Sequence, residues 1–531
     1  TKCTEDSINN DCPVCGEGDI SLCLGKEEEK EAKCICETKC TEDSINNDCP
    51  VCGEGGISLC LGKEEAKCIC DTKCTEGEVN NDCPVCGGEN GDISLCLGKE
   101  EGKTEPQCIC DTKCIEGEVN NDCPVCGGEK GDISACVGAA TAVIATPMNA
   151  RGITATKPTT GDGTEGNPYK IGTAAELYWF AGLVNGTLTD GNGTAIQADT
   201  DAWAVLTADI TINDNVLDEN GTLIDDGSGL ETWTPIGSYG DRGDEAYTGT
   251  FNGKNHTISG LYFDNKADYV GLFGYVGTVG VIQNVGVVDS YISGDENVGG
   301  VCGYNYGTIK NCYNTGDVSG SNSVGGVCGY NYYGRIRNCY NTGEVSGSDY
   351  VGGVCGWNNM SATIENCYNT GDVSGSNSVG GVCGWNSYDT IENCWNIGSV
   401  SGDENVGGVC GRNDDIGTIE NCYNTGNVSG NVSGNNNMGG VCGVNGGTIE
   451  NCYNTGYVSG GTAGGVCGAS YGGTIENCYN TGAVSGESNV GGVCGYNNGT
   501  ITNCYNTGTV IGSGSNVGGV CGYNNDSTIT N

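Results

Sequence analysis

The chain runs to 531 residues, with 96 Gly and 39 Cys against 3 Met, 4 Phe and a single His. A net charge of −46 excludes a nucleic-acid binder that works through a basic surface, and it opposes docking on anionic lipid. No run of about 18 apolar residues occurs, so no membrane insertion is predicted. Cysteine at this density points to an oxidising, extracellular compartment, because the cytosol would keep the thiols reduced. The opening triplet "TKC" recurs inside the chain, which predicts a stretch cut within repeats at both ends, with any secretion signal and anchor outside it.

Residues 1–136 read as four cysteine-rich repeats, the first holding Cys3, Cys12, Cys15, Cys23, Cys34 and Cys36. The cysteine counts per unit are 6, 6, 6 and 4, the last unit being truncated, so each can close its own bridges. Units this short lack the apolar area to fold unaided and need disulfides or metal. The CPVC element fits half of a zinc site, but no His is present in these units and disulfides are the preferred reading. Six cysteines allow 15 pairings, and spacing does not choose among them.

Residues 137–165, "VGAATAVIATPMNARGITATKPTTGDGTE", have no periodicity and read as a linker. Residues 166–269 read as the entry to a solenoid. In "TAAELYWFAGLV" the apolar Leu177, Phe180, Leu183 and Val184 recur at helical spacing, and Asn185-Gly186 supplies a stop, so an amphipathic capping helix is predicted. Short β-capable runs with Asn, Asp and Gly turns follow over 201–262.

Residues 270–531 carry the main repeat, spaced 25–32 residues apart by its GG pair at Gly299, Gly325, Gly352 and onward to Gly518. Each unit offers three short runs, as in "GGVCGYN", "TIKNCYN" and "GDVSGS", rich in β-branched residues and broken by Gly, Asn and Ser. One repeat per coil of a parallel β-solenoid is the simplest solution, with a rise of about 4.8 Å per coil. A propeller blade needs about 40 residues and comes second.

The unit "DYVGLFGYVGTVGVIQNVGVVDSYISG" has the same plan without cysteine, and places Phe273 and Val285 where later units have their two Cys. Two positions that switch together between apolar and Cys are expected to face inward and touch. The preferred pairing is therefore within a coil: Cys302–Cys312, Cys328–Cys339, Cys355–Cys367, Cys383–Cys394, Cys410–Cys422, Cys442–Cys452, Cys467–Cys478 and Cys494–Cys504. Stacked free thiols and bridges between coils are the rival readings.

Stacking also aligns Asn311 with Asn338 and Asn366, and Tyr313 with Tyr340 and Tyr368, as structural ladders. A second aromatic column, Tyr304, Tyr330, Trp357 and Trp385, is the candidate glycan-contacting strip, interrupted later by Arg412, Val444 and Ala469. Catalysis finds little support: His256 has no evident nucleophile partner, and Asp317, Glu344 and Asp372 recur as a solvated face. No catalytic residue, metal or cofactor is expected.

The stretches "VGLFGYVG", "VGGVCGYN", "GTIENCYNTG" and "GNPYKIGTAAELYWFAGLVNG" resemble GLUG-motif repeat proteins of bacterial cell surfaces, especially those of gut Firmicutes with Cys-rich units. That resemblance implies an extracellular β-solenoid and says little about ligand. Some members of the family carry a peptidase domain, which the sequence lacks.

The sequence thus predicts an all-β fold: a right-handed parallel β-solenoid with an N-terminal helical cap, preceded by small disulfide-rich repeats. The expected role is that of an extracellular structural or adhesive protein of the bacterial surface, a stalk or fibre component and not an enzyme. Its expected partners are copies of itself in filaments and host or cell-wall glycans. The alternative is a polysaccharide-binding module using aromatic ladders. A lyase or hydrolase on the same scaffold comes third and requires a unique acidic cleft.

Overall fold

The computed structural model describes residues 152–531 except 219–222, 240–244, 264–265, 432–435 and 531. The cysteine-rich repeats expected in 1–136 and half of the expected linker lie outside the described residues.

Helix α1 spans Ala174–Val184. Thr173 caps it, accepting the Glu176 amide through its side chain at 3.3 Å, and Glu176 reaches back to the Gly172 amide at 2.8 Å. At the other end the Asn185 side chain accepts from Gly237 N–H and donates to the Pro235 carbonyl. Every residue from Leu177 to Val184 is buried, Tyr178 and Trp179 included. The helix is therefore enclosed on all sides and not amphipathic. Its rings pack in an aromatic plug: Phe180 lies 6.1 Å from Tyr247 and 6.0 Å from Phe251, and Tyr247 lies 5.1 Å from Phe273.

Strands Tyr169–Ile171, Ala204–Leu206, Thr250–Ser259 and Val281–Val288 pair in parallel succession. The repeats then stack on this base as a parallel β-solenoid. The coil headed by Cys355 is typical, with strands Cys355–Asn359, Thr363–Glu365, Tyr368–Asn369 and Val373–Gly380. Each pairs with its equivalent above and below: Cys355 with Cys328 and Cys383, Ile364 with Ile336 and Ile391, Val373 with Val345 and Val400. Phe273 stands in register with Cys302, as the alignment of the cysteine-free unit requires.

Alternation along each strand sends one set of side chains inward. The interior is built of columns of Val, Ile and Cys, nearly all fully buried. The double glycine of each unit lets the backbone pass close to its neighbour: a Cβ on Gly353 would collide with the Gly381 carbonyl of the next coil and with the Asn369 side group.

Two further columns inside the coil are polar. Asn305, Asn331, Asn358, Asn386, Asn413 and Asn445 form one, and Asn314, Asn341, Asn369, Asn396, Asn424 and Asn454 the other, all fully buried. In the second column each side-chain amide donates to the carbonyl oxygen of the next: Asn341 to Asn369 and Asn369 to Asn396, both at 2.9 Å. Each also donates to a turn carbonyl two residues on, as Asn369 does to Gly371. An amide serves here because it carries donor and acceptor at once, so a copy of itself completes it. Asn369→Leu keeps the volume but orphans the Asn396 oxygen and the Gly371 carbonyl. It is expected to cost roughly 2–5 kcal/mol in urea denaturation, and a loss under about 1 kcal/mol would show the ladder to be energetically idle.

Candidate functional site: ladders of thiols, rings and carboxylates

The seventeen described cysteines stand as free thiols, those of the eight pairs expected within coils among them. The sulfurs answer to backbone groups instead. Along one column the amide of Cys312 donates to Cys339 Sγ, Cys339 to Cys367 Sγ, Cys367 to Cys394 Sγ and Cys394 to Cys422 Sγ, each at 3.3–3.4 Å. Each thiol in turn points at the carbonyl two residues before it, as Cys339 does to Arg337 at 3.2 Å. In the other column Cys302, Cys355 and Cys383 face the carbonyls of Tyr304, Trp357 and Trp385. A thiol of the Cys312 column thus accepts one backbone N–H and donates to one backbone carbonyl, while one of the Cys302 column donates to a carbonyl. A disulfide would remove every donor.

Burial holds the Cys312 and Cys339 thiols well above their ordinary pKa, and it pushes Cys521, near the last described coil, up to about 12. A neutral, enclosed thiol is a poor nucleophile. Because Cys302 through Cys494 are all buried, differential alkylation of the full-length protein, read by peptide mass spectrometry, is expected to label them only in denaturant. Linked peptides joining Cys302 to Cys312 in native material would instead restore the bridge within the coil.

The four candidate glycan residues do form one column, but their ring faces are spent on one another. Tyr330 stacks on Trp357 at 4.5 Å and 11°, and Trp357 on Trp385 at 4.6 Å and 6°. Tyr304 meets Tyr330 edge-on at 4.8 Å. Arg412 closes the column over Trp385 at 5.5 Å while pairing with Asp414, which also accepts from the Trp385 indole. The outer column is stacked the same way, Tyr313 on Tyr340 at 4.8 Å and 1° and Tyr453 on Tyr479 at 4.9 Å and 4°. In both columns the rings stack on their neighbours in the adjacent coils.

The outer Asn column sits at left-handed corners, with φ of 54° at Asn311 and 53° at Asn338. Asn338 donates to Asn311, but Asn366 and Asn393 turn to the carboxylates of Glu365 and Glu392 at 3.3 and 3.2 Å. Asp317 and Asp372 accept from the Glu344 and Ser399 amides of the next coil, so these acids also tie the stack.

His256 has a partner that its sequence neighbourhood does not reveal, Asp209 at 3.1 Å across two coils. The Thr257 amide and His256 together hold the Asp209 carboxyl below its ordinary range. An acidic concavity is lined by Asp162, Glu165, Asp199, Asp201 and Trp203. Burial and a hydrogen bond to Asp201 hold the Asp199 carboxyl above its usual pKa.

Asp389 is buried, at 3% exposure. Its Oδ1 accepts from the Ala362 amide at 2.8 Å, and its Oδ2 has no partner. Burial pushes its pKa to about 7; the titratable groups beside it are Tyr330 and Cys355, neither of them cationic. An unfolded carboxyl titrates near 3.9, so the folded protein holds the extra proton between about pH 4 and 7, and stability falls as pH rises through that window. Asp389→Asn is expected to stabilise the solenoid at pH 8 by on the order of a few kcal/mol and to change little at pH 4, measured by urea denaturation at both. An equal effect at the two pH values would refute the raised pKa.

Fold and ladders together define a parallel β-solenoid repeat protein. Five stretches, 294–319, 320–346, 347–374, 402–429 and 486–511, match the GLUG motif. Halomucin of Haloquadratum walsbyi is 34% identical over 160 residues, which is 30% of this chain and 2% of that protein. A crystal structure from Bacteroides ovatus, provisionally named an immunoglobulin A1 protease, is 23% identical. It covers 68% of this chain and 87% of its own at a TM-score of 0.35, too low to carry an argument.

Proposed function

We propose that the solenoid is a rigid structural element of an extracellular bacterial surface protein, a stalk or fibre component that holds contacts away from the cell. The observation that supports this most directly is the unbroken in-register stacking from Phe273 to Cys521, in which every coil repeats its hydrogen bonds to the next. Such a quasi-one-dimensional array sums nearest-neighbour interfaces and resists shear along its whole length. The GLUG matches favour the same setting. Modification of the native protein on intact cells by a membrane-impermeant amine reagent is the expected result, and protection until lysis would defeat the surface assignment. Pulling on single molecules is expected to give a run of force peaks as coils peel away; one low-force event would remove the stalk role.

Glycan binding is the second reading, favoured by large apolar side groups left in solvent, including Tyr333, Tyr388 and Ile416.

A further inference from the structure

One corner of the solenoid departs from the self-complementary pattern of the others. It follows the strand headed by each first cysteine, at Tyr333, Met360 and Tyr388 in three successive coils, with Asp415 at the same position in the next. Tyr333 is 53% exposed, Met360 39% and Tyr388 49%. Isolated exposed apolar residues need no explanation, but a contiguous row of them does. At about 4.8 Å per coil the row extends for roughly 10 Å.

The backbone adds an independent sign. Tyr333, Met360 and Tyr388 occupy left-handed conformations, with φ of 56°, 63° and 67°. Bulky residues are disfavoured there, and strain of this kind gathers at functional sites. The equivalent corner of a later coil holds Gly472 at φ 82°, the residue that this geometry prefers. Tyr388 has no ring partner among the described residues, and Tyr333 meets Tyr332 at 4.9 Å and 89° and Tyr306 at 6.1 Å and 30°, so neither ring belongs to the stacked columns.

Beside the first coils of the ridge lies a cationic group on a strongly anionic protein. Lys310 and Arg337 are in direct register, and Arg335 sits two residues before Arg337 on the same outward face. Arg337 pairs with Glu365 at 3.0 Å, while Lys310 and Arg335 make no ion pair among the described residues. Like charges directly opposite each other on a sheet repel unless an anion joins them.

We propose that this ridge binds an acidic polysaccharide, with sugar rings against Tyr333, Met360 and Tyr388 and a carboxylate or sulfate group held by Arg335 and Lys310. This inference rests on the glycan-binding reading and moves it from the stacked Tyr304–Trp385 column to the corner. Guanidinium groups match carboxylate and sulfate oxygens in paired geometry. A pyranose presents an apolar C–H face to a ring and a hydroxyl rim to the polar corner around it. A one-residue-wide convex ridge suits a narrow polymer better than a flat protein face.

The test uses the immobilised full-length protein with polygalacturonate, chondroitin sulfate and neutral dextran as probes. Tyr333→Gly with Tyr388→Gly puts glycine where the left-handed backbone favours it, so folding is preserved and an unchanged melting temperature verifies this. The expected result is binding of an acidic probe that weakens at least tenfold in this double variant and in Lys310→Gln with Arg335→Gln. Trp357→Ala is expected to leave it within about twofold. Acidic binding that ignores both double variants overturns the ridge. Dextran bound as tightly as the acidic probes overturns the acidic class while leaving glycan binding standing. No binding to any probe removes both. A dimer in sedimentation velocity that the tyrosine double variant disperses would make the ridge an interface between copies and end the proposal.

Discussion

The governing constraint is that each residue in a coil must tolerate a copy of itself about 4.8 Å away, above and below. Hydrocarbon meets this trivially, which accounts for the Val and Ile columns. Among polar groups only those carrying donor and acceptor together meet it, and the buried Asn columns do so by passing one hydrogen bond from coil to coil. Aromatic rings meet it by stacking face to face. Charges do not. The glutamates at 365 and 392 in one outer column are tolerable because the adjoining Asn amide donates to each of them. Where Lys310 and Arg337 stand side by side, only one carboxylate, Glu365, is at hand.

The same constraint accounts for the thiols. At the corner before each YN strand the backbone N–H cannot reach a carbonyl of the next coil and finds the next sulfur instead. Valine at that position, as in Val285, fills the space but neither accepts nor donates. Serine would bond more strongly, yet it fills less space and prefers water. Cysteine is a small hydrophobe with a weak donor and a weak acceptor. In the Cys312 column each sulfur is engaged twice, by the backbone N–H of the preceding coil and by a backbone carbonyl.

Much of the fold was legible because repetition reports position. The cysteine-free unit placed Phe273 opposite Cys302 from sequence alone, and the spacing of Leu177, Phe180 and Val184 marked the helix. The burial of the helix on every side was not legible, since it depends on segments around Trp233 and Tyr247 that fold back from far along the sequence. The interior Asn columns were hidden because Asn in "GYN" and "CYN" reads as a turn residue when the outer Asn column looks the same. Asp389 was invisible for another reason: its burial comes from the Ser361–Ala362 turn of the preceding coil, which no local pattern encodes.

The aromatic residues carry the sharpest lesson. Regular spacing singles out Tyr304, Tyr330, Trp357 and Trp385, and regular spacing is what disqualifies them. A perfect repeat makes rings stack, and a stacked ring has already given its faces to its copies. Recognition of anything other than itself needs positions where the repeat drifts. The corner that runs Tyr333, Met360, Tyr388, Asp415 and later Gly472 is such a place, since its occupants share a left-handed backbone but not identity. In a solenoid whose columns are self-satisfied, the surface open to a partner is found where the sequence stops repeating.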